Sequence, residues 1–432
     1  MTLFGMFFGA GNLIFPVHLG QLAGDKFLGA TIGFIITAVS IPILAVAAIG
    51  ITHSSGLFAL SSNVSKKFAY FFTCLLYLTI GPLFAIPRCA TTSYTIGVAP
   101  FFSEDKSLYL LIFSAIFFAL VLYFSLKPKG ITIWIGKIIN PIFLIFFFIL
   151  IFFAIKDTGT PISNVSAIDS YTSNSLFNGF IEGYGTMDAI AGLAFGIVVI
   201  NIIKQMGIND DSDVAKEVIK SVLITGLLMA IIYVLTIIIG AKSRNIFEIS
   251  SNGGIALAQI ANYYLKDFGS IVLCITITFA CLKTSIGLVT SCAETFEKLF
   301  NDRISYKVWA IIFTLLSFII SNFGLNSIIT YSIPVLMFIY PIAIVLTLLA
   351  LFSKKFNNRK EVYIYTISFT IFAAIFDLLK TLPADLINLL NLNIFIDLAN
   401  KYFPFYSLGL GFVVPSIIGL CIGLYVSKRR LN

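Results

Sequence analysis

The chain has 432 residues, of which 59% are hydrophobic and only 11% charged, and its mean hydropathy is +1.00. That make-up excludes a soluble domain, and the long uninterrupted apolar runs exclude a transmembrane barrel, whose strands alternate. The net charge of +8 sits mostly in loops, so it carries no implication of a nucleic-acid partner. An all-α polytopic membrane protein is the expected class.

In chain order, hydrophobic runs and their breakers predict twelve spans, at roughly 1–17, 27–50, 68–98, 108–126, 131–155, 176–203, 217–240, 268–292, 306–322, 326–352, 361–379 and 405–426. The first basic residue is Lys26, so no positively charged leader is expected. Cysteines 74, 89, 274, 281, 292 and 421 fall inside apolar runs without paired spacing. They are expected to be small buried residues, not disulfides or metal ligands. His18 and His53 are expected at helix ends, leaving no histidine metal site. Residues 381–404, with Pro383, Asp385, Asp397 and Pro404, are expected as an external loop or a helix lying on the surface.

Basic residues set the sidedness. Lys66 and Lys67, Lys127 and Lys129, Lys354 and Lys355, Arg359 and Lys360, and Lys428 to Arg430 all fall on the side of the amino terminus. Both termini are therefore expected in the cytoplasm.

Two spans carry glycine pairs. Phe8-Gly9-Ala10-Gly11-Asn12-Leu13-Ile14-Phe15-Pro16 interrupts the first, and Gly183-Tyr184-Gly185-Thr186-Met187-Asp188 interrupts the sixth. Glycine weakens a helix by about 1 kcal/mol relative to alanine, and Pro16 removes a further amide donor. Broken backbone at membrane depth is tolerated where it lines a cavity, which is how many transporters build a solute site. Five spans separate the two breaks, which predicts an inverted five-plus-five repeat. Residues 1–155 form its first half, residues 176–352 its second, and residues 361–432 hold the last two spans and the tail. Unpaired amides around Gly9 to Asn12 would suit a carboxylate, and free carbonyls in span 6 an ammonium or a cation. Close helix packing is the alternative use of such glycines.

In span 8, Cys281, Thr284 and Ser285 share one helix face, and their oxygens could ligate a small cation or simply bond back to their own helix. Arg88, Asp188 and Lys283 are ionisable residues at membrane depth, which makes each a functional candidate or a structural charge. Arg88 reads as a clamp on carbonyls or an ion pair, or as a substrate contact.

Taken together with Gly81-Pro82-Leu83-Phe84-Ala85-Ile86-Pro87-Arg88, Asn178-Gly179-Phe180, Ala280-Cys281-Leu282, Ser321 to Leu325 and Ile339-Tyr340-Pro341, these motifs resemble the branched-chain amino acid:cation symporter family over essentially the whole chain. The resemblance implies a leucine-transporter-like fold and uptake of leucine, isoleucine and valine, coupled to Na+ or H+, across a bacterial plasma membrane. It implies a transporter rather than an enzyme, with no cofactor beyond the coupling ion and no obligate protein partner. Gly9, Ala10, Gly11 and Asn12 would hold the substrate's charged ends with Gly183, Tyr184, Gly185 and Thr186. Sodium would meet the carbonyls of Gly5, Phe8 and Cys281 and the hydroxyls of Thr284 and Ser285. The family usually carries a further stretch before this start, and Lys283 stands where a neutral residue is expected. A fixed ammonium there would replace sodium, make coupling proton-based, or serve as structure. Exchange, transport of other neutral amino acids, or amino acid sensing without transport are the competing functions.

Overall fold

The computed structural model describes residues 2–52, 54–102, 106–127, 140–156, 161–208 and 210–429. His53, Lys129, Lys137 and the first part of the expected span 131–155 lie outside the described residues. Among the described residues every regular element is a helix. In order they are α1 (Thr2–Phe7), α2 (Gly11–Ala23), α3 (Phe27–Ile35), α4 (Ile41–Ile51), α5 (Leu57–Ser61), α6 (Lys66–Leu78), α7 (Ala85–Gly97), α8 (Lys106–Ser125), α9 (Asn140–Lys156) and α10 (Tyr171–Glu182). They continue with α11 (Asp188–Gln205), α12 (Asp211–Ser243), α13 (Gly253–Leu299), α14 (Tyr306–Ser321), α15 (Leu325–Leu351), α16 (Lys360–Lys380), α17 (Ala384–Leu389), α18 (Asn393–Tyr402) and α19 (Val413–Arg429).

Among the described residues, seven helical stretches are long and apolar enough to cross a bilayer, and one bent pair brings the number to eight; residues 144–156 and 306–321 form shorter apolar helices. The chain is a multi-pass membrane protein.

Three boundaries differ from the sequence reading. The first span, interrupted as expected, runs on to Ala23 instead of ending at 17. The expected span 268–292 is the inner part of a helical stretch from Gly253 to Leu299, redirected at Lys266, where φ is 52°. That amphipathic outer arm lacks the continuous apolar run that marks a span. The last helix begins at Val413 rather than near 405, because Phe405 and Gly409 adopt left-handed backbone.

The helices form two compact units. One comprises residues 1–35, 78–186 and 228–329, the other residues 36–77, 187–227 and 330–432. In the first, α2 packs on α12 through small residues: a side chain at Gly20 would strike the Ile237 carbonyl, and one at Gly240 the Val17 carbonyl. Such close backbone approach supplies helix association where lipid offers no hydrophobic drive. Gly97 meets Cys274 and Gly81 meets Cys292, which seats α7 and the turn before it along α13. In the second unit, Gly192 and Gly196 seat α11 on α4, and Gly419 and Gly423 seat α19 on α16.

The cysteines are all free thiols, but only Cys89, Cys281 and Cys292 are buried; Cys74 and Cys274 are half-buried and Cys421 is exposed. In a membrane span an apolar surface facing lipid needs no burial in protein, which is why composition overestimated it. His18 lies within α2 rather than at its end, with its Nε2 3.1 Å from the Ser250 carbonyl.

Candidate functional site

The first unit holds both glycine-marked breaks. α1 stops at Phe7 and α2 starts at Gly11, so residues 8–10 are the interruption. The Asn12 side chain organises it. Its Oδ1 accepts from the Gly9 N–H at 2.8 Å, and its Nδ2 donates to the Tyr233 hydroxyl of α12. Of the amides expected to be free between Gly9 and Asn12, that of Gly9 is therefore taken by a local side chain. Among the described residues neither the Ala10 nor the Gly11 N–H has a backbone partner outside the helices, so donors stay open at the start of α2.

The second break is a short 3₁₀ turn over Gly183–Thr186, after which Met187 adopts left-handed backbone with φ of 65°. Its carbonyls are less free than the sequence suggests. The Thr186 hydroxyl donates to Gly183 O at 2.9 Å. Arg88 takes two more, with Nη1 donating to Gly185 O at 2.5 Å and Nη2 to Thr186 O at 3.4 Å. A guanidinium presents several donors in a fixed fork and keeps its charge at any physiological pH, so it suits a clamp on two carbonyls.

Arg88 also ties this turn to the first break. A Cβ at Gly11 would lie 2.7 Å from Arg88 Nη2 and 3.2 Å from Thr186 O, so only glycine leaves room for the clamp. The guanidinium carbon stands 5.2 Å from the centre of the Phe15 ring, within cation–π range. The same ring fills the space in front of Gly185, where any side chain would collide with it. Gly11, Phe15, Arg88, Gly185 and Thr186 are thus one cluster. Arg88 is buried, and its positive charge lies beside the open Gly11 amide.

The face of α13 that carries Cys281, Thr284 and Ser285 borders the first break. A side chain at Gly9 would meet Thr284 at 3.4 Å. The Thr284 hydroxyl donates to the Ala280 carbonyl at 3.1 Å, the backbone-bonded state common for threonine in membrane helices. Ser285 is fully buried, with its hydroxyl facing the Cys89 thiol. Cys281 contacts the Cys89 thiol of α7. The Lys283 ammonium donates to the Gly5 carbonyl at 3.4 Å. A side chain turned well away from Thr284 around the helix has reached the carbonyl that the resemblance gives to sodium. Phe8 is buried just after α1, its N–H donating to the Phe4 carbonyl at 2.8 Å. Asp188 is buried at the first position of α11, in the second unit.

A family model described as branched-chain amino acid transport protein matches residues 1–430. The chain belongs to that family. It is 46% identical over 436 residues to the branched-chain amino acid permease BrnQ of Lactobacillus delbrueckii subsp. lactis, covering 99% of this chain and 96% of that one. To the branched-chain amino acid permease BraB of Bacillus subtilis (strain 168) it is 42% identical over 437 residues, covering 100% and 96%. Among solved structures it is similar to Mhp1, a nucleobase-cation-symport-1 family transporter, in a closed conformation with bromovinylhydantoin bound. That match has a TM-score of 0.60 at 14% identity and covers 99% of this chain and 91% of that one. The inward-facing conformation of Mhp1 matches with a TM-score of 0.59 at 11% identity, covering 100% and 90%. At those identities the likeness is one of fold, and it is the leucine-transporter-like fold that the motifs imply.

Three residues of this branched-chain amino acid transport family member escape a reading of the sequence. Tyr233 anchors Asn12 but lies in a featureless apolar run. Phe15 reads as ordinary lipid-facing or core phenylalanine. Glu182, the last residue of α10 and half-buried, stands immediately before the second break. An acidic residue adjoining a glycine pair at membrane depth was the available signal for it.

Proposed function

We propose that the protein imports leucine, isoleucine and valine by alternating access, in symport with Na+ or H+. The observation that carries this reading is Arg88, whose guanidinium holds the carbonyls of one broken helix while lying against Gly11 of the other. The substrate carboxylate is received by the Gly11 N–H and the Arg88 charge, a dry, preorganised pair of donors. The ammonium group takes carbonyls of the two breaks that Arg88 and Thr186 leave open. The aliphatic side chain lies among apolar groups such as Phe15 and Tyr184, where one methylene is worth only about 1–3 kcal/mol, so all three branched-chain substrates are accepted. The names of the permease relatives support this substrate class.

Coupling runs through the face of α13 beside Gly5 and Phe8. The Lys283–Gly5 contact favours the proton over sodium: a lysine ammonium on that carbonyl leaves when it loses its proton, which frees the first half-helix to move. In the sodium alternative, Gly5, Phe8, Cys281, Thr284 and Ser285 supply the ligands once Lys283 swings aside. The two breaks belong to inverted five-helix repeats, residues 1–155 and 176–352, and both termini face the cytoplasm of a bacterial cell. The bilayer is the only partner the function requires.

The test is leucine flux into proteoliposomes with the sodium gradient and the pH gradient imposed separately. Accumulation driven by either gradient supports symport, and the effective one names the ion. Uptake only against preloaded amino acid would make the protein an exchanger, and binding without flux a sensor.

A further inference from the structure

We propose that α18 lies in the membrane–water boundary, with one apolar face immersed in lipid at the end of α16, rather than standing in solvent as part of a loop. At 3.6 residues per turn, Ile394, Leu398, Tyr402 and Phe395 fall on one arc of α18. Asn393, Asp397 and Asn400 fall on the other side, and Lys401 stands at the edge of the apolar arc beside Ile394. Ala399, between the two, is buried where α18 packs on α16. That packing uses only one edge of the apolar arc. The rest stays open: Ile394 is 71% exposed, Leu398 52% and Tyr402 63%. A short helix with this division of faces and a lysine at its polar edge has the make-up of an interfacial helix.

The occupant of that face follows from where α18 is tethered. Its flanking segments run into α16 and α19, which pack on each other through Gly419, Gly423 and a hydroxyl pair, Thr370 and Ser416, 2.7 Å apart. Of the two, α16 is long and apolar enough to cross a bilayer. Just beyond α18, the Phe403 ring meets Phe376 at 5.1 Å and Phe372 at 6.0 Å between centroids. Phe372 lies about 12 Å before the Lys380 end of α16 at 1.5 Å per residue, and it is itself exposed on the surface of that span. The chain leaving α18 therefore dips to a depth where α16 faces acyl chains. It is then turned by Pro404 and by Phe405 in left-handed backbone. Lys380 pins the returning turn, donating to the carbonyls of Tyr406 and Ser407 at 3.2 Å each. With α18 held against α16 at one edge and Phe403 anchored below it, the open apolar arc is at the level of the lipid headgroup and upper acyl region. A soluble partner protein would have to displace lipid to reach it.

The experiment is collision-based spin-label accessibility in proteoliposomes of phosphatidylcholine and phosphatidylglycerol. Single cysteines at Ile394→Cys, Leu398→Cys and Tyr402→Cys are compared with Asp397→Cys and Asn400→Cys, in a chain whose native cysteines are replaced by serine or alanine. Labels at 394, 398 and 402 are expected to favour oxygen over a water-soluble nickel chelate, and those at 397 and 400 the reverse. Equal access of the nickel chelate to both sets would overturn the proposal, as would shielding of the first set from both reagents, the signature of a second protein copy covering the face. If the cysteine-free chain does not assemble, Leu398→Trp and Asn400→Trp, in a chain with Trp134→Phe and Trp309→Phe, answer the same question through quenching by brominated lipid. Quenching at 398 that does not exceed that at 400 sinks the idea.

Discussion

Gly11→Ala isolates the role of the Arg88 clamp, because it adds one methyl group and removes nothing. The new Cβ would stand 2.7 Å from Arg88 Nη2, 3.2 Å from Arg88 Cζ and 3.2 Å from the Thr186 carbonyl. Real Cβ atoms do not approach guanidinium nitrogen so closely, so Arg88 must shift, and its hydrogen bond from Nη2 to Thr186 O, at 3.4 Å longer than that to Gly185 O, is the one that breaks. Overpacking of this kind costs about 1–3 kcal/mol. Charged to substrate binding, that is a loss of roughly 5- to 150-fold in leucine affinity, at 1.4 kcal/mol per decade. Gly287→Ala is the matched control: it lies in α13, a Cβ there meets nothing within 4 Å, and its affinity should stay at the unsubstituted value. Binding of radiolabelled leucine to purified protein, with the amount of folded protein measured by monodisperse elution, reads both. An unchanged leucine affinity in Gly11→Ala would refute the idea that the Gly11–Arg88 approach forms part of the substrate site.

The other predictions use neighbouring groups. Tyr233→Phe removes the oxygen that accepts from Asn12 Nδ2 and leaves a buried donor without it, at a cost of about 1–3 kcal/mol. A lower unfolding temperature together with weaker leucine binding is expected, whereas a change in neither would show that Tyr233 does not hold the first break. Asn12→Ala and Thr186→Ala should abolish leucine binding while the protein remains in the membrane, as judged by immunoblot of washed membranes; retained binding counts against the assignment. Lys283→Thr should alter the dependence of uptake on sodium or pH more than the apparent leucine affinity, measured by initial rates at fixed leucine. If ion dependence is untouched, Lys283 has no part in coupling.

The positions of the breaks are local properties. Glycine pairs at 9 and 11 and at 183 and 185 weaken a helix wherever it runs, and the structure interrupts both helices there. The second break also needed Met187 in left-handed backbone, which no propensity of methionine announces. That the hydroxyl of Thr284 gives its proton to the Ala280 carbonyl, keeping its oxygen lone pairs, is visible only in the folded helix. The outer arm of α13 was missed because an amphipathic segment without a continuous apolar run looks like loop to a hydropathy window.

Sequence alone determined that this chain spans a membrane many times, where two of its helices fail, and which family it resembles, since apolar length, glycine placement and motif order are all written in consecutive residues. Which groups answer the exposed backbone at those failures was decided only by tertiary structure. Asn12 is met by Tyr233 from 221 positions away, and Gly185 by Arg88 from 97. A hydrogen bond is set by distance and direction in space, and the packing that brings such remote residues within 3 Å is a property of the whole bundle.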